Sequence, residues 1–321
     1  MSIAKHAVIP AIITSISFSP YTISHKFKHT FSAHSSSPWC RWLQNARLGY
    51  GKVETMLRSM SMSPLKTEFY GKVATLILNR PLQMNTIDLD MAKALYETSL
   101  SITDHPTVRA LIITGAGEKA FCAGGDLASF DRHGETVGAH LREVTHYLHG
   151  AISHFARMTL PVITAVNGVT AGGGLAFLGF PQLVLAADSA RFVSAYTKAG
   201  LSPDGSSTWY LPRLIGVRRA QEFIFMNRML TAQEAVEWGL INKSVKSSNL
   251  MDEAGSAAEL LAAGPRMAYG RIKDLLNSSL TTPLETQMDH EARYLACSAR
   301  SSDGQAGIKA FLTKTDPHFI E

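Results

Sequence analysis

Two glycine turns and one aspartate carry the residue types in this chain that could do chemistry. Asn167-Gly168-Val169-Thr170-Ala171-Gly172-Gly173-Gly174-Leu175-Ala176 follows an extended apolar run, Pro161 to Val166, and leads into Ala176-Phe177-Leu178. A strand passing through glycines into a helix leaves that helix's first N–H groups unpaired and pointing outward. The helix dipole adds partial positive charge there, and glycines carry no Cβ to hold a ligand off the backbone. The same stretch reads equally as a packing turn. A second turn of this type is Ala120-Phe121-Cys122-Ala123-Gly124-Gly125-Asp126-Leu127. Alone it is a Gly-Gly loop in which Asp126 could cap the next helix. Paired with the first, it could aim two N–H groups at one oxygen, an oxyanion hole that depends on no side chain's protonation. The acid is Asp204, in Gly200-Leu201-Ser202-Pro203-Asp204-Gly205. Pro-Asp-Gly is also good turn chemistry. Leu201, Trp209, Tyr210 and Leu211 are expected to wrap the carboxylate in apolar surface, which strengthens it as a base.

Other reactive residue types are weighed against plainer roles. His133, His140, His146, His149 and His154 crowd one helical stretch. No acidic partner completes a ligand set at metal spacing, so they read as solvated or packed positions and no metal is expected. Cys122 beside the first turn reads as a small buried hydrophobe rather than a nucleophile.

These residues need a scaffold, and the pattern around them supplies one. Val73–Leu78, Val108–Gly115 and Val162–Val166 are strand-like, the second apolar enough for a sheet covered on both faces. Asp88–Thr103 and 134–158 have helical spacing, with Met91, Leu95 and Ile102 on one side of the former. Alternating strands and helices imply an α/β fold in which ligands sit at the carboxyl ends of strands, where both glycine turns would lie. Downstream, 218–222 and Thr231–Ala235 open helices, the latter with a capping box from Thr231 and Glu234. Residues 251–275 and 283–299 also have helical spacing.

Composition excludes several classes. The formal charge of +5 belongs to residues 1–53, which hold six of the 31 Lys and Arg and no acid. The remaining 25 basic residues face 26 acids, so the body lacks the electrostatic footprint of a nucleic-acid binder. No apolar run approaches the roughly 18–20 residues that span a bilayer, so no membrane partner is expected. Three scattered cysteines suggest neither a disulfide framework nor zinc. Residues 1–61 have the acid-poor, Ser- and Lys-containing texture of a transit peptide, which would direct the chain to the mitochondrial matrix; otherwise a cytoplasmic location is expected. The C-terminal Phe319-Ile320-Glu321 is not a peroxisomal tripeptide.

Four motifs, Asn79-Arg80-Pro81, Phe121 to Asp126, Pro161 to Gly174 and Gly216 to Ile241, are similar to those of the enoyl-CoA hydratase/isomerase (crotonase) superfamily, in the same order. The resemblance covers about residues 66–321. It implies a crotonase-like spiral of ββα repeats at 62–255 and a C-terminal helical oligomerisation region at 256–321. It also implies a homotrimer or homohexamer and acyl-CoA thioester substrates, with coenzyme A entering as part of the substrate and no permanently bound cofactor. By resemblance the N–H groups of Gly125 and Gly173 are the oxyanion donors, and Ala123, Tyr196, Leu82, Phe311 and Lys314 contact substrate, the last two across a subunit boundary. Where hydratases of the superfamily keep two glutamates, this chain has Ala176 and Tyr196. Asp204 falls where isomerases and the aryl-CoA dehalogenase keep their working aspartate, and His149 matches a histidine that the dehalogenase branch uses to activate water. The implied activity is an isomerase that moves a double bond with Asp204 as proton shuttle, most like the ring-opening isomerases of phenylacetate breakdown and the dienoyl/enoyl-CoA isomerases. The alternatives are a hydrolase with Asp204 as nucleophile and His149 as base, a hydratase disfavoured by the missing glutamates, and a non-catalytic or RNA-binding member.

Overall fold

The computed structural model describes residues 63–320. The extension expected at 1–61 lies outside the described residues. From Ser63 onward, strands come in consecutive pairs: β3 (Ala110–Gly115) with β4 (Ala120–Cys122), β5 (Val162–Val166) with β6 (Val169–Ala171), β7 (Leu183–Ala187) with β8 (Arg191–Val193). Each pair sends one strand to each of two sheets. The larger sheet begins with the antiparallel hairpin β1 (Leu65–Tyr70) and β2 (Val73–Leu78), continues in parallel through β3, β5 and β7, and closes on β10 (Lys243–Val245). The smaller sheet runs β4, β6, β8 in parallel, then β9 (Leu230–Thr231) antiparallel. This is the expected spiral of ββα repeats.

Helices fill the turns of the spiral. α1 (Leu89–Thr103) and α3 (Val137–Arg157) pack together over one face of the larger sheet, with the short α2 (Leu127–Asp131) between them in sequence. Met91, Leu95 and Ile102 are all buried, as their spacing predicts. α4 (Ser207–Phe225) and α5 (Ala232–Trp238) follow β8, and α5 carries the capping box between Thr231 and Glu234. The other face of the larger sheet is covered by α6 (Leu250–Ala262), where Ala254, Ala258 and Ala262 lie against Ile112, Ile163 and Leu185. Alanines four residues apart form one flat stripe, so the helix approaches the sheet closely and β3 and β5 become apolar on both sides. α6 runs through the boundary expected at 255/256, so its last turns belong with the sheet. α7 (Arg266–Ser278), α8 (Leu284–Arg300) and α9 (Ser302–Thr313) complete the chain. Among the described residues, no helix is long and apolar enough to cross a membrane.

Two helix expectations are corrected and one holds. Residues 251–275 form two helices, because Gly264-Pro265 interrupts them and Pro265 cannot donate to the preceding turn. Residues 218–222 do open a helical segment: α4 is broken at Gly216 (φ 77°, ψ 154°) and resumes just before Arg218. The glycine triplet does not precede a regular helix: Gly172–Leu178 is itself a short 3-10 helix.

α7 is fastened to the spiral by a buried amine. Lys273 Nζ donates to Phe155 O at 3.1 Å and Leu160 O at 2.9 Å, at the carboxyl end of α3 and just beyond it. Burial lowers its pKa to about 7. The unfolded chain keeps this proton up to the ordinary lysine value of 10.5, so between about pH 7 and that value it binds more protons than the folded one, and stability rises with pH. Lys273→Met removes both the hydrogen bonds and this contribution. The advantage of wild type over Lys273→Met in urea unfolding should therefore widen from pH 7 to pH 9. A constant gap would show that Lys273 is charged in the fold at both values.

Candidate active site

Three neighbouring parallel strands of the small sheet, β4, β6 and β8, end side by side, and each passes directly into one part of the site. β4 leads to Gly124-Gly125, β6 to Gly172-Gly173, and β8 to Tyr196 and then Asp204. Together with α3 they enclose a cavity of about 270 Å³, lined by Ala123, Gly125, Gly172, Gly173, Tyr196, Leu201 and Asp204. Its apolar side comes from Leu141, Val144, Thr145 and Leu148 of α3. That i, i+3, i+4, i+7 spacing was legible in the sequence as a helix face, though not as a cavity wall.

The two glycine turns touch. Gly124 is in the left-handed region (φ 94°), and a Cβ there would stand 2.9 Å from Ala171 O and 3.3 Å from Gly173 N. Only glycine allows this approach. Ile87 pairs with Gly125 as an isolated parallel bridge, through Ile87 N–H to Gly124 O at 2.8 Å and Asp126 N–H to Ile87 O at 3.0 Å. A bridge made through the two neighbours leaves Gly125's own N–H facing the other way, into the cavity. Gly173 stands at the second position of its 3-10 helix, where an N–H has no partner within the helix. A Cβ on Gly173 would sit 4.0 Å from Gly125 N and 3.6 Å from Asp204 Oδ1. Two free N–H groups and a carboxylate thus share one small space.

Arg80 steadies the first turn. Its guanidinium meets Asp88 Oδ2 at 2.9 Å and Asp126 Oδ2 at 3.1 Å, and donates to Thr86 O at 2.8 Å. Asp88 caps α1 through Met91 N–H, and Asp126 caps α2 through Ser129 N–H. One cation therefore ties together the starts of the two helices that flank Gly125. The Asn-Arg-Pro motif contained this residue, but nothing in its spacing disclosed partners 8 and 46 residues away.

Asp204 is held from two directions. Tyr196 O–H donates to Asp204 Oδ1 at 2.5 Å, and the next peptide, Gly205 N–H, donates to His149 Nε2 at 3.1 Å. Gly205 (φ 57°) and Ser206 (φ 63°) are both left-handed. A non-glycine residue in that region costs about 1–3 kcal/mol, and the surrounding bonds over-determine it at Ser206. Burial first, and then the charge of Asp204, push the Tyr196 phenol up, so it stays protonated. Ala176 is buried directly beneath Gly205, where a Cβ on the glycine would come within 2.9 Å of Ala176 Cβ. A longer side chain at 176 would have to displace the Asp204 turn, which gives a steric reason why this position carries no carboxylate.

Some expected residues lie elsewhere. Of the four residues expected to wrap Asp204, Leu201 lines its cavity and Leu211 is buried in the core, whereas Trp209 and Tyr210 face a different cavity, bounded by α3, α4 and α7. The left-handed pair at 205–206 turns the chain before α4 starts and sends those rings away. His149 also lines that other cavity, reaching the site only through Gly205 N–H. Leu82 is 80% exposed on the 3-10 turn Pro81–Gln83, and Phe311 is 85% exposed on α9; neither they nor Lys314 line the Asp204 cavity. Cys122 is fully buried, and its thiol is pushed up to about 12 by burial, which leaves it a packing residue. Of His133, His140, His146, His149 and His154, only His140 is buried; His133 stacks on it at 3.6 Å, half-buried His154 bonds Ser99 Oγ through Nδ1 at 3.0 Å, and His146 and His149 are exposed. Among the described residues, no group of three or more His, Cys, Asp or Glu is placed to hold a metal ion.

The family profile described as enoyl-CoA hydratase/isomerase matches residues 68–321. The chain belongs to this family. Within it, the chain is 39% identical over 250 residues to a 1,2-epoxyphenylacetyl-CoA isomerase of Escherichia coli, covering 77% of this chain and 94% of that one. It is 31% identical over 243 residues to 4-chlorobenzoyl coenzyme A dehalogenase-2 of an Arthrobacter species, covering 75% and 88%. The crystal structure of an enoyl-CoA hydratase from Polaromonas superposes with a TM-score of 0.76 at 30% identity, covering 80% of this chain and 99% of that one. The crotonase-like fold is thereby established. Enoyl-CoA hydratase/isomerase members with different names thus share this scaffold, so the reaction of this chain has to be read from its own cavity.

Proposed function

We propose that this protein is an acyl-CoA isomerase that moves a double bond, with Asp204 as the proton shuttle. One observation carries the reading: Asp204 is the carboxylate in the cavity, and its Oδ1 lies beside the space shared by Gly125 and Gly173, while Ala176 and Tyr196 leave both hydratase positions without an acid. A thioester acidifies the neighbouring C–H groups, and deprotonation moves charge onto its carbonyl oxygen. The Gly125 and Gly173 N–H groups receive that oxyanion, each contributing on the order of 3 kcal/mol in the transition state. Asp204 takes the proton from one carbon, and the proton is returned at another. Ala123 lines the same cavity and is the residue proposed to meet coenzyme A. The relatives named for CoA-ester substrates support this class. A short 3-enoyl-CoA should be converted to its conjugated 2-enoyl isomer, read as rising absorbance, while hydration of a 2-enoyl-CoA stays negligible; fast hydration would overturn the reading.

The dehalogenase relative keeps a hydrolytic reading in view, with Asp204 as nucleophile and His149 as base. His149 Nε2 is occupied by Gly205 N–H and opens on another cavity, which favours the shuttle. An acyl adduct on Asp204 in mass spectrometry would reverse that preference. The assembly is proposed as a homotrimer or homohexamer. Leu276, Leu284, Met288, Leu295, Phe311 and Leu312 are exposed along α7 to α9, apolar side chains that a subunit boundary would cover. In such an assembly Phe311 and Lys314 would reach a neighbour's coenzyme A. Light scattering at micromolar concentration should give three or six subunits, and a monomer would remove both residues from the substrate site.

A further inference from the structure

Tyr196 is more than a wall of the cavity. Ala195 before it is left-handed (φ 59°), which turns the chain out of the direction of β8 and sets the phenol in the cavity. Its hydroxyl donates to Asp204 Oδ1, the oxygen nearest the Gly173 position. A single carboxylate that serves two carbons of one substrate has to swing between them. Asp204 is tethered at Oδ1 by Tyr196 and behind by the bond from Gly205 N–H to His149, so its swing is restricted. While Asp204 is ionised, burial and its charge keep the phenol protonated. Once Asp204 has accepted a proton, the negative charge has left the pair and sits on the substrate.

Resting on the isomerase reading above, we propose that Asp204 and Tyr196 act as one acid–base couple, in which Asp204 removes the proton from the first carbon and Tyr196 delivers one to the second. The C–H electron pair released at the first carbon enters the enolate. The Tyr196 O–H proton then goes to the second carbon, whose new C–H bond uses the electron pair of the migrating double bond. The carboxylic acid of Asp204 reprotonates the phenolate. Enzyme and substrate end with the proton and electron counts they began with.

Tyr196→Phe keeps the ring and removes only the hydroxyl. With a 3-enoyl-CoA deuterated at C2, loss of deuterium to water reads the first step, and absorbance of the conjugated product reads the whole reaction. Product formation by Tyr196→Phe should fall about a hundredfold, while deuterium loss stays within a few-fold of wild type or rises. An equal fall in both would make Tyr196 a positioning residue for Asp204 and overturn the couple. A 3-fluorotyrosine at 196 keeps the fold and the O–H donor but makes the phenol more acidic. It should shift the ratio of product formation to deuterium loss, and an unchanged ratio would also overturn the couple. A wild type inert towards 3-enoyl-CoA would sink the isomerase reading and the couple with it, whereas an active wild type matched by Tyr196→Phe would sink the couple alone.

Discussion

Asp204→Asn should cut turnover by at least about a hundredfold while leaving CoA-thioester binding in place. The amide keeps the size and planarity of the carboxylate and can still accept from the Tyr196 hydroxyl, so the turn at 204–206 has no reason to move. What it loses is basicity. General-base catalysis by a positioned carboxylate supplies about a hundred- to ten-thousandfold, and the isomerisation rate should drop by that much with little change in KM. The cavity offers no second base to substitute: Ala176 is buried against Gly205, and Tyr196 is held as a neutral phenol. If the variant isomerises at the wild-type rate, Asp204 is a turn residue and the proposed chemistry is wrong. If it loses affinity for the thioester in proportion to its rate, the carboxylate was binding rather than reacting.

Gly173→Ala should separate activity from stability as cleanly. A Cβ there meets nothing closer than 3.6 Å, so the protein folds, and its Tm should stay within a few degrees of wild type. That methyl group stands between Asp204 Oδ1 and Gly125 N, at 3.6 and 4.0 Å, in the space that a thioester oxygen and the reacting carbons would need. Loss of one oxyanion donor costs about a hundred- to a thousandfold, and obstruction of the whole site should cost at least that. The adjacent Gly174→Ala is the contrasting case. Its Cβ would lie 2.4 Å from Cys122 O, a backbone atom at the end of β4 held by the pairing of Cys122 with Thr170 of β6. Overpacking of that kind costs about 1–3 kcal/mol and should appear as a lowered Tm. A fully active Gly173→Ala would place the chemistry away from the paired glycine turns.

Much of this architecture could be read before any coordinates. Helix α1, strands β2, β3 and β5, and the capping box of α5 were legible because each is encoded in a few consecutive residues: the period of its apolar positions, a cap, a proline. The resemblance named Gly125, Gly173 and Asp204 as candidates, and the departures at Ala176 and Tyr196 were plain from the residues alone. Sequence reasoning failed where direction depends on a turn. Trp209 and Tyr210 follow Asp204 closely, yet the left-handed residues 205 and 206 point them into another cavity. The bond that Gly205 N–H makes to His149 Nε2 likewise could not be foreseen from their spacing.

Residue types and local conformation, then, were determined by the sequence itself: two glycine turns able to present free N–H groups, an acid in a tight turn, and no carboxylate at the two hydratase positions. Only the tertiary structure decided that these parts meet. Gly125, Gly173 and Asp204 come from three stretches whose separation carries no information about distance. β4, β6 and β8 are hydrogen-bonded neighbours running the same way, so their carboxyl ends open at one edge and whatever follows each strand is delivered to the same place. The bond from Tyr196 to Asp204 is decided at that level as well, because it depends on a left-handed Ala195 that no local preference of alanine would select.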